Sequence, residues 1–231
     1  SRGLGDVYKR QAINRRVTAL QGAIGSAGLR GITDLIPAYA DLTVCYDCTV
    51  ISAKALQRQL RRLLDSLSVA GQDRRRVFRL PVCYGGDYGP DLDFVCHHSG
   101  LSAQEVIALH SAPDYLIYML GFLPGFAYLG GLDPRLHTPR LDSPRTCIPA
   151  GSVGIGGAQT GVYPLASPGG WQLLGRTPVS VFDRQRQEPI LYRAGDLVHF
   201  VPISPAEYEE IARAVAAGTY TVQVEEVPVC D

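Results

Sequence analysis

A glycine- and proline-rich run fills the middle of the chain, from Gly121 to Thr177. It reads GFLPGFAYLGGLDPRLHTPRLDSPRTCIPAGSVGIGGAQTGVYPLASPGGWQLLGRT. A long helix cannot form there, because proline removes a backbone donor and glycine loses the most backbone entropy on folding. Apolar residues such as Phe126, Ile148 and Trp171 recur through the run, so we do not expect disorder. We therefore predict tight turns and close backbone approaches, in a segment that serves function.

The sequence before this run predicts a small α+β domain over residues 12–72. Apolar residues at helical spacing predict a helix over 12–27, and two short β-like runs come next at Ile32–Ile36 and Asp41–Tyr46. Ser52 is expected to cap a second helix. The polar and charged run at 70–76 is predicted to be a linker.

The second predicted helix is strongly two-sided. Its leucines lie on one face, whereas Arg58, Arg61 and Arg62 lie on its other sides. Those arginines indicate either a solvated face, which we favour, or a phosphate site.

From residue 77 onward the pattern is mostly β, with two helices. Ser102 and Glu105 form one capping box and Ser204 and Glu207 form another, so each pair predicts the start of a helix. Many short strands with few helices favour a barrel. The predicted strands are Val77–Tyr84, Tyr115–Leu120, Val179–Asp183, Pro189–Tyr192, Leu197–Val201 and Tyr220–Val227.

The first eleven residues, SRGLGDVYKRQ, differ in character from the rest of the chain. The hexapeptide DVYKRQ is what a common sequencing-library adapter encodes when it is read in frame. We hypothesise that residues 1–11 are a translated adapter artefact and that the first strand of the N-terminal domain is missing.

The central run carries a family resemblance. GFxPGFxYLGGLDPRLxxPR, followed by IPAGSVGIxGxQTGVYPxxSPGGWxLxGRT, resembles the KipI family. That family includes the B subunit of bacterial 5-oxoprolinase (PxpB) and the first half of the allophanate hydrolase and urea amidolyase carboxyltransferase domain. The flanks extend the resemblance over roughly Ala12–Glu226, through PVCYGGDYGPDL, GLSAQEVIALHS, YLIYMLGF and GDLVHFVPIS.

The resemblance implies both a fold and a reaction. The implied fold is a mostly-β, cyclophilin-like barrel over 77–231, which follows the α+β N-terminal sandwich that the helix and strand pattern predicts. The reaction is the ATP-dependent opening of 5-oxo-L-proline to L-glutamate by a complex in which a subunit-C-like chain (KipA/PxpC) and a subunit-A-like chain (PxpA) share the active site. The complex is expected to bind ATP with Mg²⁺, and the single chain to be inactive alone. Without a secretory apolar segment, we expect a cytoplasmic protein.

The residues offer binding groups rather than a complete catalytic set, so no catalytic residue is assigned. We expect four candidates to face the pocket: Arg145, Gln159, Tyr163 and Ser152. We expect seven residues to bind substrate or nucleotide: Arg135, Arg140, Gly151, Gly154, Gly156, Trp171 and Arg176.

The physical reason is anion binding. Ala150–Gly157 can place backbone N–H groups in turns with positive φ, which form anion-binding nests, and arginines clamp carboxylate or phosphate. The competing interpretation is architectural: the glycines shape barrel corners and the arginines pair with Asp133 and Asp142. Among the histidines, His110, before the run, and His137, within it, are the best functional candidates. No metal-ligand spacing appears, so we expect no metal site in this chain.

Two alternatives remain open. The chain could be a binding module, a KipI-type inhibitor of a sporulation histidine kinase. It could also be half of a biotin-dependent urea carboxyltransferase, which the absence of a biotinyl-carrier Met-Lys-Met motif in this sequence disfavours.

Overall fold

The computed structural model describes residues 2–38, 40–67 and 74–228. The chain divides into two compact units, of which one runs up to Arg74 and the other spans Arg75–Val227. Among the described residues, no helix combines the length and the apolar character needed to cross a membrane.

The N-terminal unit consists of two helices and a β-hairpin. Its helices are α1 (Arg2–Ala27) and α2 (Ala53–Ser66), and its strands are β1 (Ile32–Pro37) and β2 (Leu42–Tyr46). The strands pair antiparallel, and the Ser52 side chain accepts a hydrogen bond from the backbone N–H of Ala55 at 3.3 Å. The predicted hairpin and second helix are therefore confirmed. The first helix begins at Arg2 rather than at residue 12, so it includes the residues that we set aside as an adapter artefact. The origin of those residues stays a prediction. The sandwich arrangement of this unit also stays a prediction.

The second unit is built on strands, with short helices between them. In chain order its elements are β3 (Arg74–Tyr84), α3 (Leu92–Ser99), α4 (Ala103–Ser111), β4 (Tyr115–Leu120), β5 (Ala127–Gly130), a 3₁₀ helix (Pro134–Leu136), β6 (Arg145–Ile148), β7 (Ser152–Gly156), β8 (Gln159–Val162), β9 (Ser167–Gly169), β10 (Gln172–Arg176), β11 (Leu197–Ile203), α5 (Pro205–Ala216) and β12 (Gln223–Pro228).

Seven strands close into a barrel, as the sequence predicted. Their order is β10–β7–β8–β5–β4–β11–β3, and β3 returns to pair with β10 through Tyr84 and Gly175. The barrel is mixed, because β11 runs parallel to β3 whereas the other pairs are antiparallel. β12 adds to the free side of β3 outside the ring. Side chains such as Val153, Ile155 and Phe200 fill the interior.

The glycine- and proline-rich run contains more regular structure than we predicted. It holds the six strands β5 to β10 and the 3₁₀ helix, in addition to the predicted turns and close backbone approaches. These strands are only three to five residues long and are broken by glycines. Their stability comes from pairing with distant strands, which local propensity does not report.

Four further features of the fold differ from prediction: the end of the linker, two strands and one helix. The linker ends earlier, because Arg74–Arg76 already belong to β3. The strands expected at Val179–Asp183 and Pro189–Tyr192 are absent from the described chain, where a single Phe182–Ile190 bridge joins the two segments. The unpredicted helix α3 lacks a side-chain cap at Asp91, since that carboxylate is bonded elsewhere. Both predicted capping boxes are present.

Candidate functional site

A satellite hydrophobic cluster lies outside the barrel wall. Its members are Phe126, Ile148, Tyr163, Trp171 and Leu173. The Phe126 ring meets the rings of Tyr163 and Trp171 edge-on, each with centroids 5.5 Å apart. Trp171 is only 4 % exposed, so the residue packs within this cluster rather than presenting a free ring face.

This cluster packs against the outer face of strand β7. Val153 and Ile155 point into the barrel core, so the alternating Gly154 and Gly156 face outward. A Cβ atom on Gly156 would overlap the Trp171 indole, so only glycine leaves the room that this contact needs.

The predicted anion-binding nest is wrong, because the Ser152–Gly156 backbone is a strand that pairs on both sides with β8 and β10. Within 150–157, only Gly151 and Gly157 have positive φ. The glycines therefore have the architectural role of the competing interpretation, and ligand contact by Gly151, Gly154 or Gly156 stays a prediction.

Four predicted residues come together beside the cluster, and we call Arg140, Arg145, Tyr163 and Trp171 the arginine–aromatic face. The Arg140 guanidinium lies over the Trp171 ring, 5.9 Å from its centroid. Arg145 donates from Nη1 to the Trp171 carbonyl oxygen at 3.4 Å. Burial raises the pKa of the Tyr163 phenol, and a backbone hydrogen bond at Trp171 and the charges of both arginines oppose that rise.

The two arginines of this face differ in availability. Arg145 donates from Nη2 to Asp91 Oδ1 at 2.6 Å, and Asp91 Oδ2 accepts from the backbone N–H of Leu173 at 2.7 Å. That carboxylate therefore holds Arg145, the start of α3 and β10 together. Arg140 is exposed and, within residues 74–228 of the described chain, has no ion-pair partner. It is the cation of the face that a ligand can engage.

Arg135 does not join the face. Its guanidinium binds Asp133 through two hydrogen bonds of 3.0 and 2.7 Å, and its side chain is 61 % exposed. The architectural interpretation expected this pairing, which links residues two positions apart.

A second group of predicted residues lies at the other end of β10, about 16 Å away along the strand. Ser152 and Arg176 are direct cross-strand partners, and neither Ser152 Oγ nor Arg176 Nε has a hydrogen-bond partner in the described structure. Ser152 is also fully buried, so the described residues offer it no base that would activate it as a nucleophile. The positive charge of Arg176 instead opposes the rise that burial causes in the pKa of the Tyr208 phenol. Gln159 is not part of this second group, because it begins β8 opposite Gly156, at the end of β7 that lies against Trp171; it is half-buried.

His110 lies inside the barrel, where it makes a hydrogen-bond chain that the sequence did not predict. Thr160 Oγ1 donates to the Gly154 carbonyl at 3.1 Å, so it accepts from His110 Nε2 at 2.7 Å. His110 Nδ1 then accepts from the Tyr84 hydroxyl at 2.8 Å. Burial lowers the pKa of His110 to about 3, so the ring stays neutral near pH 7. The histidine therefore joins α4 to β3 and β8 through its two ring nitrogens. His137 is exposed.

No metal centre is built by the described residues of this chain, in which no three His, Cys, Asp or Glu side chains lie close enough together to hold an ion.

Comparison with known proteins adds the family. The model of the carboxyltransferase domain, subdomain C and D, matches residues 5–192. The chain belongs to this family. Within the family it is 43 % identical to the 5-oxoprolinase B subunit of Bacillus subtilis over 208 residues, which cover 86 % of this chain and 87 % of that protein. It is 51 % identical to the 5-oxoprolinase B subunit of Escherichia coli O157:H7 over 172 residues, which cover 74 % and 78 % of the two chains. The resemblance found in the central run is therefore confirmed.

A solved structure has a similar fold. The crystal structure of TTHA0988 superposes with a TM-score of 0.75 at 42 % identity, over 83 % of this chain. The chain spans only 37 % of that longer protein.

Proposed function

We propose that this chain is one subunit of an ATP-dependent 5-oxoprolinase, a cyclic amide hydrolase that converts 5-oxo-L-proline to L-glutamate. The observation that carries the proposal is 43–51 % identity to two proteins named as the B subunit of 5-oxoprolinase, over most of each chain. A subunit-C-like chain and a subunit-A-like chain complete the enzyme, which works in the cytoplasm. We also propose that the N-terminal unit is an α+β sandwich and that the barrel is of the cyclophilin-like class.

The chemistry explains why binding groups for anions are needed. The substrate is a five-membered lactam, and amide resonance protects its carbonyl carbon from water. When ATP phosphorylates the amide oxygen, that oxygen becomes a leaving group; one water then opens the ring and a second releases phosphate. Cations and donors must hold the substrate carboxylate and the phosphates and must stabilise charge on the reacting oxygen.

The arginine–aromatic face supplies part of this set. The Arg140 guanidinium has five N–H donors in a planar fork, which matches a carboxylate or a phosphate with two parallel hydrogen bonds. Its place over the Trp171 ring limits its conformations before a ligand arrives. Arg145 adds positive charge nearby while Asp91 holds it. Tyr163 and the other predicted site residues stay candidates, except Arg135, whose guanidinium Asp133 already binds.

The rest of the reaction centre belongs to the partners in this proposal. ATP supplies the phosphoryl group and Mg²⁺ the charge that offsets its phosphates, and the complex binds both. The residues of this chain then bind and orient anionic groups, whereas a general base and the metal ligands come from the subunit-C-like and subunit-A-like chains.

The test is reconstitution with those two chains, followed by measurement of 5-oxoproline-dependent ADP release. We expect turnover from the mixture and none from this chain alone. Arg140→Ala should raise KM for 5-oxoproline or for ATP about 10- to 100-fold, since a hydrogen bond to a charged group contributes roughly 1.5–3 kcal/mol. Arg140→Lys should lie between, because lysine keeps the charge and loses the fork.

Arg135→Ala is the matched control, because it removes an exposed guanidinium that Asp133 already binds. We expect its kinetics to equal those of the wild type. Equal effects of the two alanine variants would remove the arginine–aromatic face from the proposal. Turnover by the purified single chain would contradict the shared active site.

A further inference from the structure

Helix α2 presents a continuous basic stripe to solvent, formed by Lys54, Arg58, Arg61 and Arg62. All four residues are exposed. Their spacing of three and four positions puts them on one face of the helix, along about 12 Å of its length. Leu56, on the opposite face, is buried. The helix therefore separates an apolar side that packs within its own unit from a positively charged side that does not.

The stripe carries four positive charges and one negative charge. Asp65, the one acidic residue of α2, lies on the same face at its C-terminal end, four positions after Arg61 and three after Arg62. Within the described chain, none of the four cations makes an ion pair. Two features oppose helix stability as it stands. Lys54 lies in the first turn, where the helix dipole disfavours a cation. Arg58 has a like charge four positions away on each side, at Lys54 and Arg62. An anionic surface laid against the stripe would offset both unfavourable terms.

We propose that this basic stripe docks onto an acidic, carboxylate-bearing protein surface of another subunit of the same enzyme. The inference rests on the proposed function only for the existence of other subunits. Three of the four cations are arginines, whose planar fork binds carboxylates bidentately. The formal charge of the whole chain is zero, with 22 basic and 22 acidic residues, so it has no overall field that attracts a long polyanion. A charged patch about two helical turns long matches a short acidic segment.

The first experiment compares two double variants with identical chemistry. Arg58→Gln/Arg62→Gln removes two cations of the stripe, whereas Arg16→Gln/Arg30→Gln removes two exposed arginines of the same unit that lie outside α2. Dissociation constants for the subunit-C-like and subunit-A-like chains are measured by sedimentation at low salt (about 50 mM NaCl) and at high salt (about 500 mM). We expect the stripe variant to bind about 10-fold more weakly at low salt and to match the wild type at high salt, because salt screens charge pairs. The control should change by less than about two-fold.

The second experiment locates the contact. Lysine occurs only at Lys9 and Lys54, so the Lys54 amine is a nearly unique handle for a carbodiimide, which joins an amine to a carboxylate in direct contact. Mass spectrometry of the treated complex should show Lys54 joined to an Asp or Glu of a partner chain. Lys54→Arg keeps the charge and removes the amine, so it should abolish that product while binding is retained.

Equal losses from the two double variants, or no Lys54 product in a formed complex, would overturn the proposal. So would binding of heparin through the stripe with partner affinity unchanged in Arg58→Gln/Arg62→Gln. Docking and catalysis can fail separately. A complex that depends on the stripe but does not consume 5-oxoproline refutes the proposed function alone, and an active complex indifferent to the stripe variants refutes the docking alone.

Discussion

Replacing Gly156 with alanine tests whether an outward-facing glycine on β7 is needed to make room for the Trp171 ring. The new Cβ would come within 3.0 Å of three atoms of the Trp171 ring, Nε1, Cδ1 and Cε2. A rigid indole cannot yield as a flexible chain end does, and contacts with Phe126 and Tyr163 hold this one from the side. Overpacking of this kind costs about 1–3 kcal/mol.

A smaller effect works in the opposite direction. Gly156 has no positive φ, so alanine is free of backbone strain there and gains about 0.4–1 kcal/mol through the less flexible unfolded chain. The net expectation for Gly156→Ala is a loss of about 1–2 kcal/mol in the free energy of unfolding.

Urea denaturation at pH 7 measures this loss by far-UV circular dichroism. It is also monitored by fluorescence, because Trp171 is the single tryptophan of the chain and reports on its own packing. Gly170→Ala is the matched control, since its Cβ would meet nothing closer than 3.6 Å beside the same tryptophan. We expect that control to stay within about 0.5 kcal/mol of the wild type.

A double-mutant cycle isolates the contact. Phenylalanine lacks the five-membered ring that Gly156 accommodates, so the cost of Gly156→Ala should fall by at least about 0.5 kcal/mol in a Trp171→Phe background. Two results would refute the idea that Gly156 makes room for Trp171. One is a Gly156→Ala chain as stable as Gly170→Ala. The other is an unchanged loss of unfolding free energy for Gly156→Ala in the Trp171→Phe background.

Three further predictions concern buried or strained groups. The pKa of His110 is about 3 in the folded chain against the usual 6.5, so the unfolded chain binds a proton that the folded chain does not, and stability should fall by about 1.4 kcal/mol per pH unit below pH 6.5. Urea unfolding at pH 7 and pH 5 should show a loss of about 2 kcal/mol that His110→Gln lacks. Asp91→Ala leaves Arg145 and a backbone N–H without their acceptor and should cost about 2–3 kcal/mol in thermal denaturation, against less than about 1 kcal/mol for Arg135→Ala at an exposed pair. Phe122 is 64 % exposed and has a φ of 67°, a backbone conformation that only glycine adopts without strain. Phe122→Gly should therefore be more stable than the wild type by up to about 1 kcal/mol, and Phe122→Val should be less stable.

For each of these three predictions, one result would contradict it. A His110→Gln chain that retains the full pH 7-to-5 loss would assign that loss to other groups. Equal losses of stability in Asp91→Ala and Arg135→Ala would mean that the Asp91 carboxylate does not stabilise the contact between α3 and β10. A Phe122→Gly chain less stable than the wild type would mean that the Phe122 contact with Phe126 outweighs the backbone strain.

The predictions that held on α5 and α4 depend on neighbours within one helical turn. Ser204 and Glu207 satisfy each other's backbone N–H groups whatever the rest of the chain does, and Ser102 and Glu105 do the same. The family signature behaved likewise, because it is a property of residue order alone. The pairing of Arg135 with Asp133, two positions apart, belongs to the same class.

The predictions that failed depend on residues far apart in the chain. Ala150–Gly157 looked like a run of turns, because glycine has a low preference for strands and nothing local shows that β8 and β10 will pair with it. The spacing of the outward glycines became meaningful only once Trp171 lay against them.

The amino-acid order by itself determined the family, the capped helices and the amphipathic α2, because each depends on local geometry or on residue identity. The many short strands also predicted a barrel, but long-range pairing such as that of β3 with β10 closes it. The tertiary structure decided which arginine is available to a ligand. Arg140 and Arg145 are five positions apart and chemically identical, yet Arg145 is bound by Asp91, 54 residues away, while Arg140 rests on Trp171 with its donors exposed. Only folding brings a carboxylate that distant within 2.6 Å of one guanidinium, whereas the other has no ion-pair partner within residues 74–228 of the described chain.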